Sequence, residues 1–233
     1  MLNWNEFDDR DALIDGVSRR LHERLGAALK ARREAWIALA GGSTPMPIYA
    51  RLAGMELDWT RVTAVATDER WVPADHEASN GHQIRRRFAG TGLRVASLVP
   101  DDARGAANVD HADQTLAALT GPFDVVVLGM GNDAHFASLF PHSPALPAGL
   151  DPHASDNALV VVPDPLPPEA PFARVSLTLA KLLATRSLML VIAGQAKREA
   201  LERAARAEAD PHRLPAAALL RAAGKKLEIF WSP

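Results

Sequence analysis

The stretch FDVVVLGMG, residues 123–131, places a continuous apolar run directly before a glycine-rich loop. A continuous run, in contrast to an alternating one, is typical of a strand that is covered on both faces of a sheet. The same order of apolar run and small or polar loop recurs in AWIALAGG at residues 35–42 and in VTAVATD at residues 62–68. We therefore predict a buried strand at each of these three places, with a loop at its end.

Helical patterns separate the strands. Leu13, Val17 and Leu21 recur at every fourth position, which predicts an amphipathic helix over residues 13–29. Residues 197–209 are rich in Ala, Glu and Arg and also predict a helix. Further apolar runs predict strands at residues 159–162, 175–179, 188–192 and 227–231. Strands that alternate with helices in this way indicate an α/β fold.

Length and composition are those of an ordinary globular chain. With 233 residues, the chain is long enough to bury a sizeable core, and 48% of its residues are hydrophobic and 23% charged. The proline-dense connection at residues 163–171 separates segments of similar composition, so we predict one domain spanning residues 1–233.

Charge and cysteine content narrow the function classes. The net charge of -2 gives no global reason to expect nucleic acid or an anionic membrane as a partner. The absence of cysteine excludes disulfides, thiolate metal sites and cysteine nucleophiles. Neither a signal-peptide core nor a membrane-spanning run is present in the sequence, which predicts a cytoplasmic protein.

The loop GGSTP, residues 41–45, has the composition of an anion site. Gly42 allows close backbone approach, Ser43 and Thr44 offer hydroxyls, and the N-terminus of a following helix attracts negative charge. The loop lacks both the Walker lysine spacing and the dinucleotide-binding glycine pattern. Ser-Thr-Pro is also an ordinary helix start, so the segment alone leaves a phosphate site and a structural turn open.

Charged side chains follow other predicted strands. Asp68, Glu69 and Arg70 come after the strand at residues 62–66, where they either line a polar cleft or form an internal ion pair. Arg174 begins one apolar strand and Lys197 follows another. Each of these two basic residues is either an anion ligand or a solvated surface charge.

The segment NDAHFASLFP, residues 132–141, carries an acid and an imidazole two positions apart. An ordinary histidine has a pKa of about 6.5 and is mostly neutral at pH 7, so His135 is a candidate general base that Asp133 orients. His135 and His142 lack the spacing of a metal-binding motif, so we predict no metal site. Ser138 lacks the flanking glycines of a nucleophile elbow and is interpreted as a helix or packing residue.

Five segments together resemble the 6-phosphogluconolactonase family, in the order in which that family has them: GGSTP at 41–45, TDERWVP at 67–73, LGMGNDAHFASLFP at 128–141, RVSLTL at 174–179 and AGQAK at 193–197. The resemblance implies a Rossmann-like, doubly wound fold with a mostly parallel sheet and helices on both faces. It also implies hydrolysis of 6-phospho-D-glucono-1,5-lactone in the oxidative pentose phosphate pathway, without a metal or another cofactor. The implied partner is the small sugar-phosphate lactone, and the implied assembly is a monomer or a weak homo-oligomer.

The resemblance also implies roles for individual residues. His135 would activate water for attack on the lactone carbonyl, Asp133 would support the imidazole, and Arg70 would bind or polarise the substrate. Ser43, Thr44, Arg174 and Lys197 would surround the phosphate, with the Gly42 backbone contributing N–H groups. The full predicted set of substrate-binding residues is Gly42, Ser43, Thr44, Asp68, Arg70, Gly131, Arg174 and Lys197.

One position departs from the family pattern, which usually reads Asp-Gly-His. This chain has Ala134 between Asp133 and His135. An alanine is strained there only if the backbone needs a positive φ. We expect activity to survive, because the acid, the base and the ASLFP continuation are present.

Two alternative functions are considered. Hexosamine-6-phosphate deaminases or isomerases resemble this chain in the phosphate loop, but typically have tyrosine where this chain has Arg70. A sugar-phosphate sensor without catalysis would keep the phosphate loop and lose the acid and the base, and both are present here.

Overall fold

Seven parallel strands form the main sheet of the computed structural model, which describes residues 2–163 and 171–233. Their order across the sheet is β1, β10, β9, β6, β2, β3, β5. These strands are β1 (Asn3–Glu6), β2 (Ala35–Leu39), β3 (Val62–Ala66), β5 (Arg94–Ala96), β6 (Val125–Leu128), β9 (Leu188–Ala193) and β10 (Leu227–Ser232). The arrangement confirms the predicted α/β fold with a mostly parallel sheet.

Helices cover both faces of this sheet. They are α1 (Arg10–Ala31), α2 (Pro45–Ala53), α3 (Asn80–Arg87), α4 (Asp110–Ala117), α5 (Leu146–Gly149), α6 (Leu179–Leu183), α7 (Gln195–Ala204) and α8 (Ala216–Ala223). Val125 and Val127 of β6 pack into a core with α1, α2 and α3, whereas Val126 and Leu128 pack into a core with α4, α6, α7 and α8. Because successive side chains of a strand point to opposite faces, an all-apolar strand is what such a double layer requires.

The chain reverses its direction across the sheet between β2 and β6. From β2 the chain moves outward through β3 to β5, and from β6 it moves the other way through β9 to β10. In open α/β sheets the loops at such a switch point diverge and leave a crevice beyond the carboxyl ends of the strands. The loops that follow β2 and β6 are the two in which the sequence analysis places phosphate binding and the candidate base.

A second sheet of three antiparallel strands stands beside this crevice. It has the order β4 (Asp68–Arg70), β8 (Arg174–Leu177) and β7 (Ala158–Val161). The expectation of a loop at residues 67–70 is therefore wrong for residues 68–70, which become a strand by pairing with β8. The helix expected over residues 197–209 ends earlier, at Ala204.

The helix expected over residues 13–29 is confirmed as α1, whose first turn is capped by the Asp9 carboxylate through a 2.8 Å hydrogen bond from the Ala12 amide. Most of the proline-dense connection at residues 163–171 lies outside the described residues. Within residues 2–163 and 171–233, no helix is long and apolar enough to cross a bilayer.

Candidate active site

A cavity of about 250 Å³ opens at the crevice between the loops that follow β2 and β6. Its walls bring together residues from segments that lie far apart in the sequence. The predicted site residues that line it are Gly42, Ser43, Thr44, Asp68, Arg70, Gly131, His135, Arg174 and Lys197. The fold therefore brings the candidate residues of separate loops together in one site.

His135 and Asp133 form a hydrogen-bonded pair at the edge of this cavity. The His135 Nδ1 atom lies 2.6 Å from Asp133 Oδ1, and the two side chains are 29% and 48% exposed. Partial burial acts to raise the pKa of Asp133, but the hydrogen bond and the charge of His135 outweigh it and hold that pKa below the usual value. An ionised carboxylate only accepts hydrogen bonds, so Nδ1 carries the proton and Nε2 is the nitrogen that can accept one.

Two arginines face each other across β4 and β8. Arg70 and Arg174 are directly opposed in the antiparallel register, and both line the cavity. Burial lowers the pKa of Arg174, the charge of Asp68 acts against this, and the charge of Arg70 lowers it further. Because like charges opposed across two strands repel, this pair favours an anion in the cavity.

Phe140 joins the base to the arginine pair. Its ring centroid lies 4.5 Å from that of His135, and the Arg174 guanidinium carbon lies 4.9 Å from the Phe140 centroid. The contact with Arg174 has the geometry of a cation–π interaction. The aromatic ring thus fixes the spacing between the imidazole and one cation of the site.

The opposite wall is the loop between β2 and α2. Gly42 has φ +99°, a conformation that favours glycine, and Thr44 is the N-cap residue of the nine-residue helix α2. Lys197 of α7 lines the same cavity, and burial together with the positive charge of Arg10 lowers its pKa. A helix N-terminus, hydroxyls and a lysine around one cavity suit a phosphate group.

Sequence reasoning missed Arg10 and Asn80. Arg10, the first residue of α1, donates a hydrogen bond from Nη2 to the Ser43 carbonyl oxygen at 2.9 Å. Asn80, the first residue of α3, lines the cavity and donates from Nδ2 to the Asp68 carbonyl oxygen at 2.7 Å. Neither residue stands at a strand end or in a recognisable motif, so the sequence carried no signal for them.

The sequence left open whether Asp68 and Glu69 line a polar cleft or form an ion pair with Arg70. In the structure Asp68 lines the cavity, whereas Glu69 binds backbone amides and a serine hydroxyl. The buried Glu69 carboxylate accepts hydrogen bonds from the amides of Arg70, Asn80 and Gly81 and from the Ser79 hydroxyl. Glu69 therefore fixes the start of α3 against β4. The Arg70 Nη1 atom instead donates to the Ala78 carbonyl oxygen at 2.6 Å.

Ala134 has the backbone conformation that strains an alanine. It is fully buried with φ +65°, and its amide donates to the Gly131 carbonyl while its own carbonyl accepts from the Ala216 amide. Ala137, two residues after His135, also has a positive φ of +48°. Strained backbone of this kind clusters at functional sites, where the surrounding contacts hold it in place.

A larger cavity of about 1030 Å³ meets the other side of the His135–Asp133 pair. Its walls include residues 140–144, Arg203 near the end of α7, and Arg213 in the segment between α7 and α8. His135 lines both cavities and therefore stands between them. Within residues 2–163 and 171–233, no cluster of three or more His, Cys, Asp or Glu side chains could hold a metal ion.

The sequence of the chain is similar to a family of known proteins. The family profile described as glucosamine-6-phosphate isomerases/6-phosphogluconolactonase matches residues 8–231. A protein of Caulobacter vibrioides named 6-phosphogluconolactonase is 38% identical over 228 residues, which cover 97% of this chain and 95% of that protein. A Pseudomonas putida protein of the same name is 38% identical over 233 residues, covering 98% and 92% of the two chains.

Solved structures give the same relationship. The crystal structure of a 6-phosphogluconolactonase from Shewanella baltica superimposes with a TM-score of 0.90 and 30% sequence identity, covering 100% of this chain and 98% of that one. The 6-phosphogluconolactonase of Trypanosoma brucei superimposes with a TM-score of 0.79 at 25% identity, covering 100% and 96%. The similarity extends over the whole doubly wound fold.

Proposed function

The chain belongs to the glucosamine-6-phosphate isomerase/6-phosphogluconolactonase family, and we propose that it hydrolyses 6-phospho-D-glucono-1,5-lactone to 6-phospho-D-gluconate. The observation that carries the proposal is the placement of the His135–Asp133 pair at one side of a cavity whose other walls hold two arginines and a lysine. A base at one end and cations at the other suit a substrate that is an ester at one end and a phosphate at the other.

The proposed reaction begins with His135 as general base. Nε2 takes a proton from a water molecule while the water oxygen bonds to the lactone carbonyl carbon. The carbonyl electron pair moves to its oxygen, and the resulting oxyanion returns the pair as the bond between that carbon and the ring oxygen breaks. The ring oxygen then takes the proton from the imidazolium, and the new carboxylic acid loses its proton to water.

Asp133 supports this cycle by holding the imidazole in one tautomer. Its carboxylate accepts from Nδ1, which leaves Nε2 unprotonated before the attack and stabilises the imidazolium afterwards. Arg70 is the group we assign to the oxyanion. The Gly131 amide is already engaged with the His135 carbonyl oxygen at 2.9 Å, whereas the Arg70 side chain lines the cavity.

The phosphate is assigned to the loop between β2 and α2. Ser43, Thr44 and the Gly42 backbone would surround it, with Lys197 and Arg174 supplying positive charge. Asp68 and Gly131 complete the substrate contacts between the phosphate and the lactone end. Binding at the phosphate then orients the ester bond toward His135.

The deaminase alternative is disfavoured by Arg70, because a guanidinium suits an oxyanion and the curated relatives described above are named lactonases. The sensor alternative is disfavoured by the Asp133–His135 pair, because binding alone does not require a base that is oriented by a carboxylate. We also propose that the chain acts as one domain in the cytoplasm, in the oxidative pentose phosphate pathway, as a monomer or weak homo-oligomer.

The test is an assay on freshly generated 6-phosphogluconolactone, corrected for spontaneous hydrolysis, run beside a glucosamine-6-phosphate deamination assay. We expect the wild-type protein to accelerate lactone opening and His135→Ala to lower kcat/KM by about 100-fold or more, in the range of general-base catalysis. His153→Ala is the matched control, because His153 is exposed and lies outside the residues that line either cavity.

The alternatives have their own outcomes in the same assays. Release of ammonia without faster lactone opening would identify a deaminase. Binding of 6-phosphogluconate without turnover would identify a sensor. Full lactonase activity in His135→Ala would refute the assignment of the base while leaving the substrate in place.

A further inference from the structure

Ser138 connects the segment of the candidate base to the second sheet. Its hydroxyl donates a 2.6 Å hydrogen bond to Asp68 Oδ2, and its backbone amide donates to Ser176 Oγ at 3.2 Å. Ser138 and Ser176 are fully buried, and Asp68 is 6% exposed. A residue three positions after His135 is therefore tied to β4 and β8 at once.

We propose that Ser138 is a positioning residue that holds Asp68 as a hydrogen-bond acceptor for a sugar hydroxyl of the substrate. Asp68 lines the small cavity, and we assign its carboxylate to the part of the substrate between the phosphate and the lactone. The inference rests on the proposed function, because it assigns a sugar contact within that same site.

The chemistry of the contact supports this role over simple packing. The Ser138 hydroxyl can donate one hydrogen bond, and it donates this bond to the carboxylate of Asp68, which needs hydrogen-bond donors because it is buried away from water. The second donor to Asp68 is the Thr67 hydroxyl, at 3.3 Å from Oδ1. The shorter bond to Oδ2 fixes the plane of the carboxylate, and the second oxygen is left with the weaker contact.

The same bond couples the two halves of the site. His135 lies on the segment after β6, whereas Asp68, Arg70 and Arg174 lie on β4 and β8. Ser138 bonds to the second sheet through both its hydroxyl and its amide. Ser138 is therefore, beside the Phe140 ring, a contact that holds the segment of the base against the substrate-binding strands. Its hydroxyl is fully buried and donates to an acid, so it is not placed to act as a nucleophile.

A double-mutant cycle separates positioning from a structural role. The variants are Ser138→Ala, Asp68→Ala and the double variant, with kcat, KM and the Kd for 6-phosphogluconate measured for each, and thermal unfolding as the check of folding. We expect Ser138→Ala to weaken binding about tenfold, the size of one hydrogen bond to a charged group, with a smaller change in kcat. In the Asp68→Ala background the same substitution should change the Kd by less than about twofold, because the partner is already gone.

Ser176→Ala is the matched control. It removes another fully buried hydroxyl, which accepts from the Ser138 amide and donates to the Leu177 carbonyl oxygen, not to the Asp68 carboxylate. We expect its effect on Kd to be the same whether or not Asp68 is present. If Asp68→Ala fails to fold, Asp68→Asn replaces it in the cycle, and the loss caused by Ser138→Ala should then shrink, because a neutral acceptor binds the hydroxyl more weakly.

The outcomes separate the inference from the proposed function. Equal losses for Ser138→Ala in both backgrounds, or no loss at all, would overturn the positioning role while wild-type lactonase activity stands. A wild-type protein that neither opens the lactone nor binds 6-phosphogluconate would overturn the proposed function, and the inference with it. Coupled losses in the cycle would support Ser138 as the residue that positions Asp68.

Discussion

Gly131 provides the space in which His135 meets Asp133. A Cβ atom on Gly131 would overlap the Nδ1 and Cε1 atoms of the imidazole and would lie 2.5 Å from Asp133 Oδ1. The Gly131 amide also donates to the His135 carbonyl oxygen, so the glycine touches the base through its backbone as well. The hydrogen bond between His135 and Asp133 therefore depends on the missing side chain two positions before the acid.

Gly131→Ala should displace the imidazole while leaving the fold intact. We expect kcat for lactone hydrolysis to fall by about 100-fold or more, because a general base must stay within hydrogen-bond reach of the proton that it takes. The KM should change less, since the phosphate wall lies elsewhere in the cavity. Gly121→Ala is the control, because a Cβ at Gly121 meets nothing within 4 Å. A Gly131→Ala variant with wild-type kcat would show that the ring does not need its present position.

Asp133→Asn should impair proton uptake by His135, because it favours the wrong tautomer of the imidazole. The carboxamide that this substitution introduces can donate to Nδ1 of His135, and this favours the tautomer with the proton on Nε2, where it blocks proton uptake from water. The substitution also removes the negative charge that stabilises the imidazolium. We expect kcat to fall by about 100-fold or more with KM nearly unchanged, by analogy with other oriented histidine bases.

The measurement for Asp133→Asn is steady-state kinetics at several pH values, together with the Kd for 6-phosphogluconate. Unchanged product binding would show that the phosphate wall is intact. A loss confined to KM would instead place Asp133 in substrate binding and would contradict its role as the partner of His135.

The strands of the main sheet were predictable where both of their faces are buried. β2, β3 and β6 are wholly apolar or nearly so because they lie between two layers of helices, and such runs are visible in the sequence. β1 and β5 lie at the edges of the sheet and have short, partly polar sequences, so they were missed. β4 consists of Asp-Glu-Arg and becomes a strand only by pairing with β8, which a local pattern cannot reveal.

The site was predictable to the extent that it is built from strand ends. Ser43, Arg70 and His135 follow apolar strands in the sequence, and the carboxyl ends of adjacent parallel strands meet in space. Asn80 lines the cavity and Arg10 bonds to the Ser43 carbonyl, each from the first residue of a helix, so only the tertiary structure brings them to the site. The sequence could not show whether the backbone at Ala134 needs a positive φ, and the structure shows that it does.

Ala134→Gly should leave stability and activity nearly unchanged, because two effects oppose each other. Glycine relieves about 1–2 kcal/mol of strain at a left-handed position. It also loses a buried methyl group worth about 0.8 kcal/mol and makes the unfolded chain more flexible by about 0.5–1 kcal/mol. The free energy of unfolding, measured by urea denaturation, should therefore change by less than about 1 kcal/mol.

The control for Ala134→Gly is Ala217→Gly. Ala217 is equally buried but lies in α8, where there is no strain to relieve. This variant should lose about 1–2 kcal/mol, the sum of the methyl and flexibility terms. Equal losses at both positions would mean that the positive φ of Ala134 costs nothing.

Arg10→Ala should change both the strength and the pH dependence of phosphate binding. Burial and the charge of Arg10 lower the pKa of Lys197. A phosphate dianion favours charged lysine, so affinity falls as rising pH removes the proton, and the fall begins at a lower pH than for an ordinary lysine. Without Arg10 the pKa of Lys197 rises, and the alkaline loss of affinity should move to higher pH.

At neutral pH the same variant should bind more weakly, because the hydrogen bond to the Ser43 carbonyl and one positive charge are both lost. We expect a loss of about threefold to tenfold, within the usual range for one partly exposed charged contact. Calorimetric Kd values for 6-phosphogluconate from pH 7 to alkaline pH measure both effects, with Arg19→Ala as the control because Arg19 is exposed further along α1. Weaker binding without the alkaline shift would show that Arg10 acts on the Ser43 loop alone, and an unchanged curve would exclude Arg10 from the site.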